Sequence, residues 1–312
     1  MRNRTDMTDD PMSAVLRLAE VESVVSGGFT AGGSWSIRFP APDRIKFFAA
    51  VRGTCWLQLD DRHEPIRLEP GDVVLLVASV GFVMASDVTL SPVVASELFA
   101  GRTSPIVDVG GGNDVLMIGG HVRLHATYAG MLSDALPPLI HIRGVAGEGQ
   151  GMRWILDSLV EESRYELPGS GMASAQLAHL LFVQVLRAHL SSGEPMKAGW
   201  LRAAVDPRLG VVLRQMHGDP ARPWRLEQLA AMAAMSRTVF ASQFKAAAGV
   251  APLTYLARWR MRLAERALRR GDVTLAVLAR DLGYASESAF SHAFKRIVGV
   301  SPSRYAAVPA PH

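Results

Sequence analysis

Two stretches near the C-terminal end of the chain are versions of one another. Residues 236–255 read SRTVFASQFKAAAGVAPLTY and residues 286–305 read SESAFSHAFKRIVGVSPSRY. At a spacing of 50 they share Ser236/Ser286, Phe240/Phe290, Phe244/Phe294, Lys245/Lys295, Gly249/Gly299, Val250/Val300, Pro252/Pro302 and Tyr255/Tyr305. An internal repeat constrains architecture before any propensity argument applies. Two copies are too few for a solenoid and suit one small supersecondary unit used twice.

The unit reads physically. Phe240 and Phe244 are one helical turn apart, as are Phe290 and Phe294, so each pair lies on one helix face. Ser236 and Ser286 stand where an N-cap belongs. Gly249 and Gly299 suit the left-handed position that ends a helix, with Pro252 and Pro302 shortly after. Upstream of each copy is a short amphipathic run: Leu226, Leu229, Ala230 and Ala233 before the first, Leu275, Leu278, Ala279 and Leu282 before the second. Tight turns follow at Ala234-Met235 and Gly283-Tyr284-Ala285. Helix, short turn and helix with one buried face is the helix-turn-helix plan, whose second helix fits a major groove about 12 Å wide.

With the phenylalanines inward, Thr238, Ala241, Ser242 and Lys245 face outward in the first unit. Ser288, Ser291, His292 and Lys295 do so in the second, flanked by Glu287 and Arg296, and Arg237 opens the first helix. Small polar and cationic side chains suit base edges and phosphates. A single such helix is more often a plain solvated face. Two matching units joined by the basic run from Arg258 to Arg270 shift that balance toward duplex DNA. Residues 206–306 resemble the DNA-binding domain of AraC/XylS-family bacterial transcription regulators. The second block carries the most specific signature: Gly283-Tyr284, Ser286, Phe290, Phe294-Lys295, Gly299 and Pro302 through Tyr305.

Charge agrees with this placement. Net charge over 312 residues is +4, but residues 200–312 carry 17 Lys/Arg against 7 Asp/Glu while the rest is net acidic. A polyanion-binding surface therefore belongs to the C-terminal third. No Lys-rich amphipathic helix with a bulky apolar face points to a membrane surface. The longest apolar run, Val73 to Ala85, is too short to span a bilayer, and the polar N-terminus MRNRTDMTDDPM lacks a signal-peptide core. Cys55 is the single cysteine. That excludes intramolecular disulfides and CxxC metal sites and fits a reducing, cytoplasmic, nucleoid-associated setting. The simple reading of Cys55 is a small buried side chain in a strand, with a redox sensor as the minor alternative.

The N-terminal part reads differently. A helix over Met12–Leu18 precedes short strands across residues 21–100. Alternation is plain in Ser34–Phe39 and Thr54–Asp60, and turn signals lie at Gly27-Gly28, Gly32-Gly33, Pro40–Asp43 and Pro70-Gly71-Asp72. Many short strands suggest a sandwich or barrel. RFPAPDRIKFFAAVRGTCWLQLDD and IRLEPGDVVLLVAS resemble the cupin-type sensor domain of one AraC subgroup, a likeness that extends to about residue 142. Cupin enzymes hold a metal through His and Glu, and the resemblance implies ligand positions here at Phe47-Phe48 and at Val77-Ala78 through Phe82. Those side chains offer no ligand, which disfavours a cupin metalloenzyme fused to a DNA-binding domain, the leading alternative. An architectural DNA binder without effector control ranks behind it. His121 and His125 on a continuous strand would stand about 13 Å apart, so no metal or cofactor is expected. The Gly110–Asp114 cluster reads as a hairpin turn, since no Lys-Ser/Thr follows it.

Residues 151–166 and 172–191 carry helical periodicity, broken at Pro168-Gly169. In regulators that resemble this chain such helices form the dimer interface. The expected architecture is α+β: a cupin-like effector-sensing barrel over 1–148, linker and dimerisation helices over 149–200, and an all-α double helix-turn-helix domain over 201–312. The expected function is a sequence-specific transcription regulator, with no enzymatic activity. Arg237, Thr238, Ser242, Lys245, Glu287, Ser288, Ser291, His292, Lys295 and Arg296 form its DNA contact set. A small effector is assigned to Trp35, Phe39, Phe48, Trp56, Phe82 and His121. Expected partners are double-stranded DNA, the effector, a second copy through 151–191, and RNA polymerase where the output is activation.

Overall fold

The repeat builds two like-shaped helical units, and alternation in the earlier part builds two sheets. The computed structural model describes residues 10–101, 104–144, 150–165, 167–271 and 273–307. The readings placed on residues 1–9 and on 145–149, which include the expected boundary near 148, lie outside the described residues.

In chain order the elements are α1 (Pro11–Leu18), β1 (Glu22–Ala31), β2 (Ser36–Phe39), β3 (Ile45–Arg52), β4 (Cys55–Leu59), β5 (Ile66–Leu68), β6 (Val73–Leu76), β7 (Phe82–Ala85), β8 (Val93–Val94), α2 (Ala95–Leu98), β9 (Ile106–Val109), β10 (Val115–Arg123), α3 (Ala126–Ser133) and β11 (Leu139–Ile142). Helices follow to the end: α4 (Gln150–Tyr165), α5 (Ser170–Ser191), α6 (Trp200–Val205), α7 (Leu209–Gly218), α8 (Leu226–Met232), α9 (Arg237–Ala248), α10 (Pro252–Arg270), α11 (Leu275–Asp281), α12 (Glu287–Val298) and α13 (Pro302–Ala306). The α+β class is as expected.

Contacts divide the chain into two units: Val21–Leu124 with Leu136–Pro195, and Met1–Glu20 with His125–Ala135 and Met196–His312. Packing and chain order are thus drawn differently from three successive segments, because α1 and α3 pack with the C-terminal helices.

The first of these units holds a six-stranded sheet in the order β11-β6-β3-β10-β1-β9 and a five-stranded sheet in the order β5-β4-β7-β2-β8. Their inner faces meet in a buried core that includes Phe29, Trp35, Phe48, Leu57, Leu76, Phe82, Met84 and Met117. On β4 the core takes Cys55, Leu57 and Leu59 and leaves Trp56 and Gln58 half-buried, the period-2 pattern read from the sequence. A bulge between Val25 and Gly27 shifts the β1–β10 register. Helices α4 and α5 carry their own buried stripe, from Ile155, Leu156 and Leu159 to Leu181, Phe182 and Val185.

The second unit is helical. Ser236 Oγ accepts from Val239 N at 3.4 Å and Ser286 Oγ from Ala289 N at 3.1 Å, so both serines cap as expected. Gly249 at φ 76° and Gly299 at φ 92° close these helices in the left-handed region. Pro252 and Pro302 then stand in the first turns of α10 and α13. The repeat also recurs in packing: Phe244 meets Tyr255 edge-on at 5.7 Å and Phe294 meets Tyr305 edge-on at 5.5 Å. All four repeat phenylalanines are fully buried.

Candidate nucleic-acid interface and barrel core

Once its phenylalanines are inside, each second helix has one face left for solvent. On α9 the exposed residues include Arg237, Thr238, Ser242 and Lys245, with Ala241 half-buried. On α12 they include Glu287, Ser288, His292, Lys295 and Arg296, with Ser291 half-buried. Among the described residues Lys245 and Lys295 make no ion pair, so their ammonium groups are free for a polyanion. Arg237 is engaged: its Nη1 lies 3.2 Å from Glu227 Oε1, both side chains exposed. An exposed pair of this kind contributes at most about 1 kcal/mol and exchanges readily for another anion.

Two residues on α9 were missed by reading outward positions from the phenylalanines alone. Val239 is 45% exposed, and Gln243 is exposed as well. Val239 lies one turn before Ser242, so full 3.6-residue spacing would have found it. An apolar side chain here adds a group suited to the thymine methyl, and Gln adds a donor–acceptor pair suited to adenine.

Two of the cations along α10 are engaged within the helical unit. Arg260 donates from Nε to Pro220 O at 2.7 Å and from Nη2 to Arg222 O at 3.0 Å, and it lies over the Tyr284 ring. Arg262 pairs with buried Glu265 at 3.1 Å. Burial pushes the Glu265 carboxyl up, and Arg262 opposes that shift.

In the barrel unit the aromatic candidates separate into two groups. Phe39 stacks on Phe82 at 4.8 Å, Phe48 meets Phe82 edge-on at 4.9 Å, and Trp35 packs edge-on against Phe29 at 5.4 Å. Trp35, Phe48 and Phe82 belong to the buried core, and Phe39 packs against it half-buried. Trp56 lies outside this cluster, on the other face of β4 from Cys55 and Leu57. His121 stands near the end of β10, where its Nδ1 is 3.0 Å from Ser26 Oγ and its Nε2 is 3.4 Å from Arg44 Nη1. Partial burial and the nearby Arg44, Arg123 and Lys46 hold its pKa below the ordinary histidine value. Lys46 pairs with His121 across β3 and β10 and was not read as a site residue. Its own pKa is lowered by burial, against the pull of Asp43. Alternation puts Lys46 on the same sheet face as Phe48. Sequence parity could have paired them but could not say which face was inward.

At the implied cupin ligand positions, Phe48 and Phe82 are core side chains. Among the described residues no group of three or more His, Cys, Asp or Glu gathers. His125 leaves the strand to cap α3, accepting from Thr127 N at 3.3 Å. Asp72 is buried and paired with His141 Nε2 at 2.8 Å, and it also accepts from Gly144 N and Glu69 N. Cys55 is buried, and burial pushes its thiol up to about 12. That keeps the sulfur protonated and unreactive. No helix among the described residues is long and apolar enough to cross a membrane.

A cupin family matches residues 10–191 and a helix-turn-helix domain family matches residues 229–307. An AraC-like transcription regulator from Streptomyces lividans is 40% identical over 95% of this chain and 97% of its own length. The chain belongs to the AraC-like transcription regulators. A further AraC-like regulator, from Streptomyces antibioticus, is 38% identical over 97% of this chain and 100% of its own. Among solved structures, the DNA-binding domain of AdpA in complex with a target DNA is 34% identical, covering 33% of this chain and 91% of that one, with a TM-score of 0.31. As an AraC-like regulator, the chain is a DNA-binding transcription regulator that couples an N-terminal cupin domain to a C-terminal helix-turn-helix domain.

Proposed function

We propose that α9 and α12 enter successive major-groove faces of one duplex, roughly 34 Å apart. The observation that carries this reading is the duplicated, serine-capped helix whose phenylalanine side is buried and whose small polar and cationic side is open. Lys245, Lys295, Arg296 and, on leaving Glu227, Arg237 contact phosphates and supply most of the affinity. Thr238, Ser242, Glu287, Ser288, Ser291 and His292 supply the base readout. The test is to sequence the DNA fragments that purified protein retains from genomic DNA. A single enriched two-part motif supports the reading, and retention without enrichment rejects it.

The barrel part, within 1–148, senses a small molecule that is partly apolar and carries an acceptor or acidic group. The half-buried Phe39 edge of the aromatic cluster and the Lys46–His121 pair support that chemistry. Trp35, Phe48 and Phe82 form the floor behind them, and Trp56 acts from outside the cluster. The effector acts by binding the DNA-competent and incompetent states with different affinity. Helices α4 and α5, within 149–200, join two copies in a homodimer; exposed Trp154, Met172 and Leu180 support this. The output is occupancy of DNA in the cytoplasm rather than catalysis. Where that output is activation, RNA polymerase is the further partner.

A further inference from the structure

Helix α3 is short, lies outside the repeat, and is separated from the end of strand β10 by two residues. It nonetheless packs as part of the helical unit. Its Tyr128 is fully buried. The Tyr128 hydroxyl donates to Arg262 O at 3.2 Å and accepts from Arg269 Nη2 at 3.0 Å. The Arg269 guanidinium lies 4.8 Å from the Tyr128 ring centre. Arg269 Nη1 also donates to Thr127 Oγ1 at 3.1 Å and reaches Tyr305 Oη at 3.4 Å. At its other end α3 offers Met131 O to Trp200 Nε1 at 2.7 Å. One helix therefore holds α6 of the first half, the linking helix α10 and, through Arg269, α13 of the second half.

The space beneath α3 explains why such a bridge matters. A solvent-open cleft of about 590 Å³ lies between the two halves here. Ala248 and Val250 line it from the first half, Ile297 and Val298 from the second, and Met131 from α3. Direct contact between the halves occurs elsewhere: the Ala221 backbone sits against Gly283, and Arg260 reaches from Pro220 and Arg222 to Tyr284. With contact on one side and a gap on the other, the helices have room to rock about α10. Close-packed interiors resist such motion, and on the α3 side the two halves are not packed directly against each other.

We propose that α3 is a strut that fixes the spacing of the two recognition helices, with Tyr128 and Thr127 as its positioning residues and Arg269 as their anchor. The outward faces of α9 and α12 stay open with α3 seated, and in this proposal the seated state is the one that fits DNA. This rests on the reading of α9 and α12 as a pair of groove-reading helices. Seating or release of α3, joined by two residues to β10, then gives the barrel a direct means to alter that fit.

The test uses the full chain on its own selected DNA fragment and on copies with one base pair inserted or removed between the two half-sites. Wild type should prefer the natural spacing by at least tenfold. Tyr128→Phe, which keeps the ring and loses both hydroxyl bonds, and Thr127→Val should each reduce that preference threefold or more, with an unchanged melting temperature. Arg269→Lys, which keeps the charge, should retain part of it. If Tyr128→Phe and Thr127→Val both keep the full spacing preference, or if wild type binds all spacings equally, the strut is overturned. Failure of wild type to retain duplex at any spacing would instead reject the underlying reading of α9 and α12.

Discussion

His217 stacks face to face on Trp259, with ring centres 3.8 Å apart and planes 12° from parallel. Its Nε2 lies 2.8 Å from Tyr255 Oη, and among the described residues neither its Nδ1 nor the Trp259 indole nitrogen has a further partner. This aromatic stack ties α7 to α10, so the first helix-turn-helix half rests on a histidine sealed from water. Burial lowers the His217 pKa to about 3.

The unfolded chain protonates that imidazole near the ordinary value of 6.5, the folded chain only near 3. Between those values the unfolded state holds the extra proton, so stability falls as pH falls, by at most about 1.4 kcal/mol per unit. Above pH 6.5 the group adds no slope. Urea midpoints at pH 7.5, 6.0 and 5.0 should decline for wild type and decline less steeply for His217→Phe. Parallel declines would mean other groups dominate acid sensitivity.

Lys295 should act as a phosphate contact. Lys295→Ala is expected to weaken binding to all sequences alike and to lower the slope of log affinity against log salt by about 1. A changed base preference with an unchanged salt slope would assign Lys295 to readout. His292→Ala should do the reverse, shifting preferred bases at one position with the salt slope retained.

The two helix-turn-helix turns differ in strain. Ala234 has φ 51° and Gly283 has φ 77°, both left-handed. Glycine fits there freely and alanine does not. Gly283→Ala meets the further obstacle of the Ala221 carbonyl and should cost about 1–3 kcal/mol. Ala234→Gly should be neutral or stabilising by up to about 1 kcal/mol. Thermal melts of the two variants would settle both signs.

Cys55 should resist thiol reagents in the folded protein and react fully once unfolded. It is 2% exposed, with its thiol held protonated. Modification at the unfolded rate in native buffer would overturn its assignment as a core side chain.

The helical half was legible because duplication made the pattern visible twice. Serines, phenylalanines, glycines and prolines at a fixed offset specify caps, faces and ends together. The barrel was legible as alternation, with Leu57 and Cys55 inward on β4. Sign was not legible, which is why Trp56 was grouped with Phe82 and yet lies on the opposite face. The place of α3 could not be read at all. ATYAGMLS shows no strong apolar stripe, and its seat is made by Thr127, Tyr128 and Met131 meeting Arg262, Arg269 and Trp200, between 69 and 142 residues away. Neither helical spacing nor family likeness carries information of that range.

Since α1 and α3 precede Met196 in the chain yet pack beyond it, an excised C-terminal piece would be a different object from the domain in place. Arg269 would lose Tyr128 and Thr127, Trp200 would lose its carbonyl, and Arg266 and Arg270 would lose Glu20, which lies 3.8 and 3.6 Å away. Operator preferences collected with such a truncate would describe a looser instrument than the regulator itself.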